Sequence, residues 1–208
     1  VLNDISFQAS RGEIIAIAGA NGAGKSTLAR MLCGLQKNGS GTVLWAGKPM
    51  SRRLRRKKAY MVMQDVGHQL FTDSVAAECA LGIKAPNKDE IDRTLEKVDL
   101  LANKERPPLS LSGGQMQRLA VVVSDICGKE LLVFDEPTSG LDRKSMEEVG
   151  TLTRSLATQG KVLLIITHDI EFMMRICTRI LFIRDGEIVE DLSGGQKEKI
   201  VRLLRGEE

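Results

Sequence analysis

Three short hydrophobic runs stand out in the pattern of apolar and polar positions along the chain. They occupy residues 14–18, 131–134 and 162–166, and each is an uninterrupted series of apolar residues, several of them β-branched. Runs of this length without polar alternation are typical of strands buried on both faces, as in a parallel sheet. Helix-forming stretches such as residues 28–32 separate them. The pattern therefore predicts an α/β fold with a mostly parallel core sheet.

A different periodicity occupies the middle of the chain and sets the expected domain organisation. Apolar residues recur there at the spacing of one helix face, at Ile91, Leu95 and Val98. We therefore expect a mostly helical lobe inserted into the α/β lobe. The chain 1–208 is predicted to be a single domain, with the α/β lobe formed by residues 1–63 and 121–208 and the helical lobe by residues 64–120.

Five shorter segments complete the outline. The opening at 1–7 alternates like a strand already in progress, residues 41–47 suggest a β-hairpin that packs Trp45, and 60–63 is a short strand. Residues 180–204 predict a strand, an Asp-Gly turn, a second strand and a terminal helix. The basic run SRRLRRKK at 51–58 could bind anionic lipid or nucleic acid, but a solvated helix is the favoured interpretation.

Composition narrows the class of protein. The chain has 208 residues, 42% of them hydrophobic, which is enough to bury a full core. A net charge of +3 and 3% aromatic residues give no indication of nucleic-acid binding. Four scattered cysteines without a CxxC pair argue against a zinc site or a disulfide framework and fit a reducing compartment. No apolar run approaches the roughly 18 residues of a membrane helix, and from the opening VLNDISFQAS we expect no signal peptide. Because Val1 starts in mid-pattern, we expect the numbering to begin inside a larger polypeptide.

Residues 19–27 carry the strongest functional signal. They read GANGAGKST, a G-x-x-x-x-G-K-S-T motif between a predicted strand and a predicted helix, which is the context of a phosphate-binding loop. Its glycines let backbone N–H groups close around phosphate oxygens, and the helix N-terminus favours the negative charge. Lys25 offers a charge to the β- and γ-phosphates, and Ser26 a hydroxyl to Mg²⁺. The predicted nucleotide-binding residues here are Gly19, Ala20, Asn21, Gly22, Ala23, Gly24, Lys25, Ser26 and Thr27.

Two other predicted strands end in candidate catalytic residues. Asp135 and Glu136 follow the second hydrophobic run, and His168 follows the third. Ligands of parallel sheets bind at the carboxyl ends of the strands, so these side chains should meet beside the phosphate-binding loop. Asp135 could hold Mg²⁺ there, and Glu136 could polarise an attacking water. His168 could donate to a γ-phosphate oxygen or orient that water.

The pentapeptide LSGGQ occurs twice, at residues 111–115 and 192–196. The first copy precedes a helical stretch, where Ser112 and the glycine amides would form an anion site by the same physics as the phosphate-binding loop. The second copy follows the predicted hairpin, and its Ser193 and Gln196 have the spacing of a capping box. We therefore interpret the first copy as functional and the second as a helix cap.

The order of these motifs resembles that of the ATP-binding cassette (ABC) ATPases over nearly the whole chain. The resemblance implies a P-loop NTPase fold with a small antiparallel β subdomain and an inserted helical signature subdomain. It also implies the cofactors ATP and Mg²⁺. Catalytic roles are carried over to Gln64, Glu136 and His168. Mg²⁺ ligation is carried over to Ser26, Gln64 and Asp135.

The resemblance also implies a dimer. In the family, LSGGQ contacts ATP bound to the opposite subunit, so one chain completes neither site alone. A second ABC ATPase domain is expected as a partner, either in a homodimer or in a tandem cassette. The residues expected to serve the shared site are Ser112, Gly113, Gly114, Gln115 and Asp142, the last in a D-loop-like segment at 139–142.

By the same resemblance, the chain hydrolyses ATP to energise a membrane importer at the cytoplasmic face of the cell membrane. It would be peripheral, with its helical lobe bound to an integral membrane subunit, and no nucleic-acid partner is expected. Gln69, Leu70 and Phe71 are similar to a segment of the energy-coupling factor importer ATPases, which take up vitamins and metal ions. We expect these three residues to be dispensable for folding; ordinary apolar packing is the alternative interpretation.

Other classes of ABC protein stay open. Soluble members that act in translation, DNA repair or cluster assembly are the main alternative. Ribosome-acting members carry two cassettes joined by a charged linker, and DNA-repair members split the cassette with a long coiled coil. The sequence has neither such a linker nor heptad runs, although an upstream part could contain a second cassette. A cassette that binds ATP without cleaving it is disfavoured by Glu136 and His168. Two positions depart from the family pattern. The aromatic residue that stacks on adenine would precede Val1, and Val123 stands where an Arg is usual.

Overall fold

The computed structural model describes residues 2–37, 40–193, 196, 199 and 201–203. Its strands are β1 (Ile14–Ala18), β2 (Leu44–Trp45), β3 (Lys48–Pro49), β4 (Ala59–Val62), β5 (Leu131–Asp135), β6 (Val162–Ile166), β7 (Arg179–Arg184) and β8 (Glu187–Ser193). Six of them form one sheet in the order β4-β5-β6-β1-β7-β8, while β2 and β3 pair separately. All neighbours in the large sheet are parallel except β7 and β8. The predicted mostly parallel core sheet is confirmed, and the carboxyl ends of β1, β5 and β6 lie along one edge.

Helices cover both faces of this sheet. They are α1 (Lys25–Leu32), α2 (Arg52–Lys58), α3 (Val75–Ala80), α4 (Lys88–Glu96), α5 (Gly113–Ile126), α6 (Arg143–Thr158) and α7 (Ile170–Ile176). Because side chains alternate along a strand, Ile15 and Ile17 pack with α1 on one face. Ile14 belongs to the cluster on the other face, with Val149 of α6 and Phe172 of α7. No helix in the described ranges is both long and apolar enough to cross a membrane.

The predicted strands are present in the structure except at the start of the chain, although the strand expected at 60–63 occupies Ala59–Val62. β1 and β6 have the expected limits, while β5 extends to Asp135, which pairs with Ile166. The strand expected at 1–7 is wrong: Val1 lies outside the described residues, and 2–7 form no strand. The apolar side chains of this segment, Leu2, Ile5 and Phe7, still pack against the core. The alternation of apolar and polar residues therefore reflects side-chain burial, without the backbone hydrogen bonds of a strand.

The small antiparallel sheet and the basic helix are confirmed and lie next to each other. Trp45 pairs with Lys48, and the Lys58 ammonium lies 4.8 Å from the centre of its ring. On the inner side of α2, the Arg52 guanidinium donates to the carbonyl oxygens of Gly34 and Leu35. Hydrogen bonds from a positively charged side chain of α2 therefore hold this helix to the α/β lobe.

The helical lobe has its own hydrophobic cluster, which includes Leu70, Val75 and Leu95. α5 contributes to this cluster through Leu119 and Val122 and to the sheet core through Ala120 and Val121. Val123, where the family pattern has an Arg, is buried in the lobe cluster. The predicted boundary between 120 and 121 thus falls within a continuous helix, and the division into lobes at that residue stays a prediction.

Candidate active site

A polar cleft of about 570 Å³ lies at the carboxyl ends of β1, β5 and β6. Most of the predicted site residues converge on it. The lining residues are Asn21, Gly22, Gly24, Lys25, Ser26, Thr27, Gln64, Asp135, Glu136, Ser139, Ile166 and His168. Ser139 and Ile166 were not predicted as site residues, although Ser139 lies in the segment that resembles the D-loop. The other predicted residues do not line this cleft; these are Gly19, Ala20, Ala23, Ser112, Gly113, Gly114, Gln115 and Asp142.

The phosphate-binding loop has a backbone that its sequence requires. Gly19 has φ of +144°, and a Cβ there would lie 2.1 Å from the carbonyl oxygen of Ile183 on β7. Gly24 also has positive φ, 103°, and immediately precedes α1. A side chain at Gly19 would therefore force β7 away from the loop. The loop and the sheet edge are packed so closely that only glycine fits between them.

Lys25 is buried and turned back onto its own loop. Its ammonium group donates to the carbonyl oxygens of Gly19 at 2.7 Å and Ala20 at 2.9 Å. Burial lowers the pKa of Lys25, while the carboxylates of Glu136 and Asp135 oppose that shift. The positive charge is thus held in the cleft beside two acids, where it could transfer its hydrogen bonds to phosphate oxygens.

Asp135 and Ser26 bring a carboxylate and a hydroxyl into contact in the cleft. Burial raises the pKa of Asp135, and a hydrogen bond from the Ser26 side chain and the charges of Arg30 and Lys25 counteract the rise. The described residues contain no cluster of three or more His, Cys, Asp or Glu side chains of the kind that makes an all-protein metal cage. One carboxylate, one hydroxyl and the Gln64 amide in one cleft suit Mg²⁺, which takes few protein ligands alongside phosphate oxygens and water.

Glu136 and His168 approach each other at the mouth of the cleft. The His168 Nε2 lies 3.5 Å from Glu136 Oε1, and the His168 backbone N–H donates to Glu136 Oε2 at 3.4 Å. Glu136 has φ of +51°, which is unusual for a residue with a side chain, and its N–H donates to the Ile166 carbonyl at 2.8 Å. Backbone strain of this kind persists only where the surroundings enforce it. The turn after β5 thus aims the carboxylate at the cleft rather than along the sheet.

The first LSGGQ begins α5. Ser112 is the N-cap, its hydroxyl accepts from the Gln115 N–H, and the Gln115 side chain accepts from the Ser112 N–H, which together make a capping box. Gly113 lines a second cleft of about 360 Å³, which we call the inter-loop cleft; residues 64–67, the start of α5 and residues 139–141 form its walls. The first LSGGQ, which we call the signature, therefore does not line the cleft at the phosphate-binding loop within one chain. We call that first cleft the phosphate-loop cleft.

Asp142 serves as a helix cap in the structure. Its carboxylate accepts from the Ser145 N–H at 2.7 Å at the start of α6, and this bond is the main reason that the pKa of Asp142 is lowered. The assignment of Asp142 to a nucleotide-binding role stays a prediction.

The second LSGGQ lies at the end of the hairpin predicted for the C-terminal part of the chain. Ser193 is the last residue of β8, its N–H donates to Gln196 Oε1 at 3.3 Å, and the Gln196 N–H donates to the Ser193 carbonyl at 3.0 Å. The first of these is one of the two bonds of a capping box. Gly194 and Gly195 lie outside the described residues, as does part of the predicted terminal helix, so its helix cap stays a prediction.

The segment of Gln69, Leu70 and Phe71 has three different environments. Gln69 is bonded to β4: its side chain donates to the Tyr60 hydroxyl and the Met61 carbonyl and accepts from the Met63 N–H. Leu70 is 1% exposed, whereas Phe71 is 71% exposed. The expectation that all three are dispensable for folding is therefore wrong for Gln69 and Leu70. The exposed ring of Phe71 is available to a partner.

Comparisons with known proteins show the family of the chain. A family model described as ABC transporter matches residues 2–139. A Treponema denticola ABC transporter ATP-binding protein is 58% identical over 204 residues, which are 98% of this chain and 42% of that protein. A second Treponema denticola relative is 46% identical, and 39% of it is covered. The chain thus spans about two fifths of these relatives. A Streptomyces avermitilis relative is 37% identical, covering 92% of this chain and 76% of that protein.

Two solved structures are also similar. One is cbiO1 from Clostridium perfringens, described as part of the ABC transporter complex cbiONQ. It has a TM-score of 0.84 and 30% identity, and the match covers 99% of this chain and 86% of that chain. The other is a bacterial Atm1-family ABC exporter with ATP bound, with a TM-score of 0.85 and 25% identity over 99% of this chain and 38% of that chain.

Proposed function

This chain belongs to the ABC transporter family, and from that premise we propose that it is an ATP-hydrolysing subunit or domain that energises a membrane importer. The observation that carries the proposal is the convergence of a phosphate-binding loop, Asp135, Glu136 and His168 on one cleft. A cleft with these groups provides what phosphoryl transfer to water requires: a phosphate cradle, a cation site and a carboxylate near the attacking water.

Each residue has a separate task in the proposed hydrolysis. The loop amides and Lys25 bind and orient the phosphates of ATP. Ser26, Asp135 and Gln64 would hold Mg²⁺, which neutralises developing negative charge on the phosphates. Glu136 orients the attacking water and accepts its proton, and His168 donates to the γ-phosphate and keeps the carboxylate in place. The 3.5 Å separation of the two side chains supports this division.

A second ABC ATPase domain is the proposed partner at the nucleotide. Ser112, Gly113 and Gly114 present a helix N-terminus away from the phosphate-loop cleft, so their anion site has no phosphate to bind within one chain. The pairing of two such domains by two-fold symmetry would bring each signature to the other's ATP. The partner would be an identical chain or another cassette on the same polypeptide.

The importer assignment rests on the helical lobe. We propose that residues 64–120 form this lobe and bind an integral membrane subunit, which holds the protein at the cytoplasmic face of the membrane. The exposed Phe71 within the energy-coupling-factor-like segment supports import of a vitamin or metal ion, and so does the similarity to cbiO1. The similarity to an exporter extends over the same fold, so the fold alone does not decide direction.

Magnesium-dependent ATP hydrolysis tests the proposed activity directly. The purified protein, assembled with its partners, should release phosphate from ATP at a rate that falls to background when Mg²⁺ is chelated. Substitution of Lys25 by Ala should abolish the same activity, because the buried ammonium group is the only lysine charge lining the cleft in the described structure. Phosphate release that survives chelation, or survives loss of Lys25, would contradict the proposed site.

Membrane coupling is tested at Phe71. Substitution by Ala should weaken co-purification with the membrane subunit by about 30-fold, the effect of removing an aromatic anchor from an interface. Folding and unstimulated ATP hydrolysis should be unchanged, since the ring is 71% exposed. Leu44→Ala removes an exposed apolar side chain, 58% exposed, from the small sheet and serves as the matched control. Equal retention of the partner by both variants would contradict a coupling role for Phe71.

A further inference from the structure

Gln117 has a buried polar group that the proposed mechanism does not yet use. The residue is 5% exposed, and its amide nitrogen Nε2 is buried without a hydrogen-bond partner in the part of the chain that the structure describes. A buried donor of this kind destabilises the state that contains it, whereas an apolar side chain of the same shape would not. A polar residue at this position therefore indicates a second conformational state, in which the amide donates a hydrogen bond.

The position of Gln117 indicates where its partner lies. The residue lines the inter-loop cleft, opposite the Gln64–Gly67 segment and next to residues 139–141. The cleft has a volume of about 360 Å³, and the Gln64–Gly67 segment brings backbone and side-chain oxygens to its lining. Gln64 lies at the junction of the two clefts, because it lines both of them.

Of the three walls, the α5 wall is fixed. A Cβ at Gly114 would lie 2.5 Å from the Ser145 hydroxyl, so the start of α5 is packed closely against α6. Arg118, one residue beyond Gln117, forms an ion pair with Glu148 of α6 and donates to the Val98 carbonyl at 3.2 Å. The 64–67 segment forms the facing wall, and its turn contacts α5 directly. Gln64 and Asp65 are exposed on this wall, whereas Val66 is buried in the sheet core.

We propose that the Gln117 amide donates to an oxygen of the Gln64–Gly67 segment in the hydrolysing state, and that it thereby holds Gln64 in position. Gln117 is then a positioning residue: it touches neither nucleotide nor water and acts through Gln64. The proposed hydrogen bond thereby links the signature at the start of α5 to the Gln64 side chain. The inference rests on the proposed ATP hydrolysis.

The test replaces Gln117 by Met, which has the same length and no amide. In the full polypeptide with its partners, kcat for ATP should fall about 5- to 100-fold, the range that loss of one buried hydrogen bond gives. KM for ATP should stay within about twofold, because Gln117 does not line the nucleotide cleft. Thermal stability without nucleotide should be unchanged or higher, since the unpaired donor is gone.

Two further variants test whether Gln117 changes kcat by acting through Gln64. Met116→Leu alters the same cleft without a polar group and should change kcat by less than about twofold. Gln64→Ala should make a second change at Gln117 inconsequential, so the double variant should be no slower than Gln64→Ala alone.

The outcomes separate the two proposals. A Gln117→Met variant with unchanged kcat, a loss of stability that accompanies the loss of kcat, or multiplicative effects in the double variant would each overturn the role of Gln117. A wild-type protein that releases no phosphate would instead refute the proposed function.

Discussion

Substitution of Glu136 by Gln should slow ATP turnover by about 10²- to 10⁴-fold, the range expected when a general base is lost. The amide keeps the shape of the side chain but cannot accept a proton from the attacking water. The backbone at Glu136 should be unaffected, because its left-handed φ of +51° and its bond to Ile166 do not involve the side chain. The variant should therefore still bind ATP.

An ATP-bound dimer should accumulate in this variant, since hydrolysis is the step that would separate the two domains. Size-exclusion chromatography with ATP and Mg²⁺, together with single-turnover kinetics, measures both effects. Glu130→Gln is the matched control: it makes the same chemical change just before β5, at the end opposite the cleft. It removes ion pairs to Arg11 and Lys58 and should leave kcat within about twofold. A Glu136→Gln variant that turns over as fast as this control would exclude Glu136 as the base.

Substitution of Ser112 by Arg should abolish ATP-driven dimerisation and reduce turnover by about 100-fold or more, comparable to the loss of a transition-state anion donor. The reason is geometric. Ser112 is the N-cap of α5, and a bulky cation there would occupy the space of the partner's γ-phosphate and block the amides that follow. ATPase rate and ATP-dependent dimer fraction, corrected for folded protein, measure the effect.

The second LSGGQ supplies the control, because the five residues are identical and only their surroundings differ. Ser193→Arg, at the end of β8, should leave turnover per folded molecule unchanged. Ser193→Ala should lower the free energy of unfolding by about 0.5–2 kcal/mol if the residue caps a helix. Loss of turnover from the Ser193 changes, with Ser112→Arg still active, would reverse the assignment of the two copies.

Much of the α/β lobe was predictable because its signals are local. An uninterrupted apolar run such as 162–166 is short for a helix and contains β-branched residues, which favours a buried strand, and the structure gives β6 those limits. The phosphate-binding loop needs its glycines whatever the rest of the fold does, so residues 19–27 could be identified from spacing alone. The carboxyl ends of the strands then brought Asp135 and His168 to the same cleft.

The features that were missed depend on distant contacts. The opening segment has the alternation of a strand, but its side chains are buried without a ladder. Gln69 was expected to be dispensable for folding, whereas its amide bridges the end of β4. The burial of Gln117 depends on where residues 64–67 and 139–141 lie around α5. In the sequence it is one polar position in a helix, two residues beyond the LSGGQ pentapeptide, with nothing to indicate that its amide is buried.

The continuity of α5 has a consequence for how such domains can be recombined. Fourteen residues of helix extend about 21 Å from the signature, and neighbouring residues along it pack in the lobe cluster and in the sheet core. A helical lobe exchanged between relatives at residue 120 would join two half-helices whose inward faces were shaped by different neighbours. A chimera that carries all of α5 from Gly113 to Ile126, together with the α6 surface against which it packs, keeps those neighbours together. We therefore expect the smallest transferable unit to extend beyond residue 120 to the end of α5, rather than to stop at the predicted boundary of the lobe.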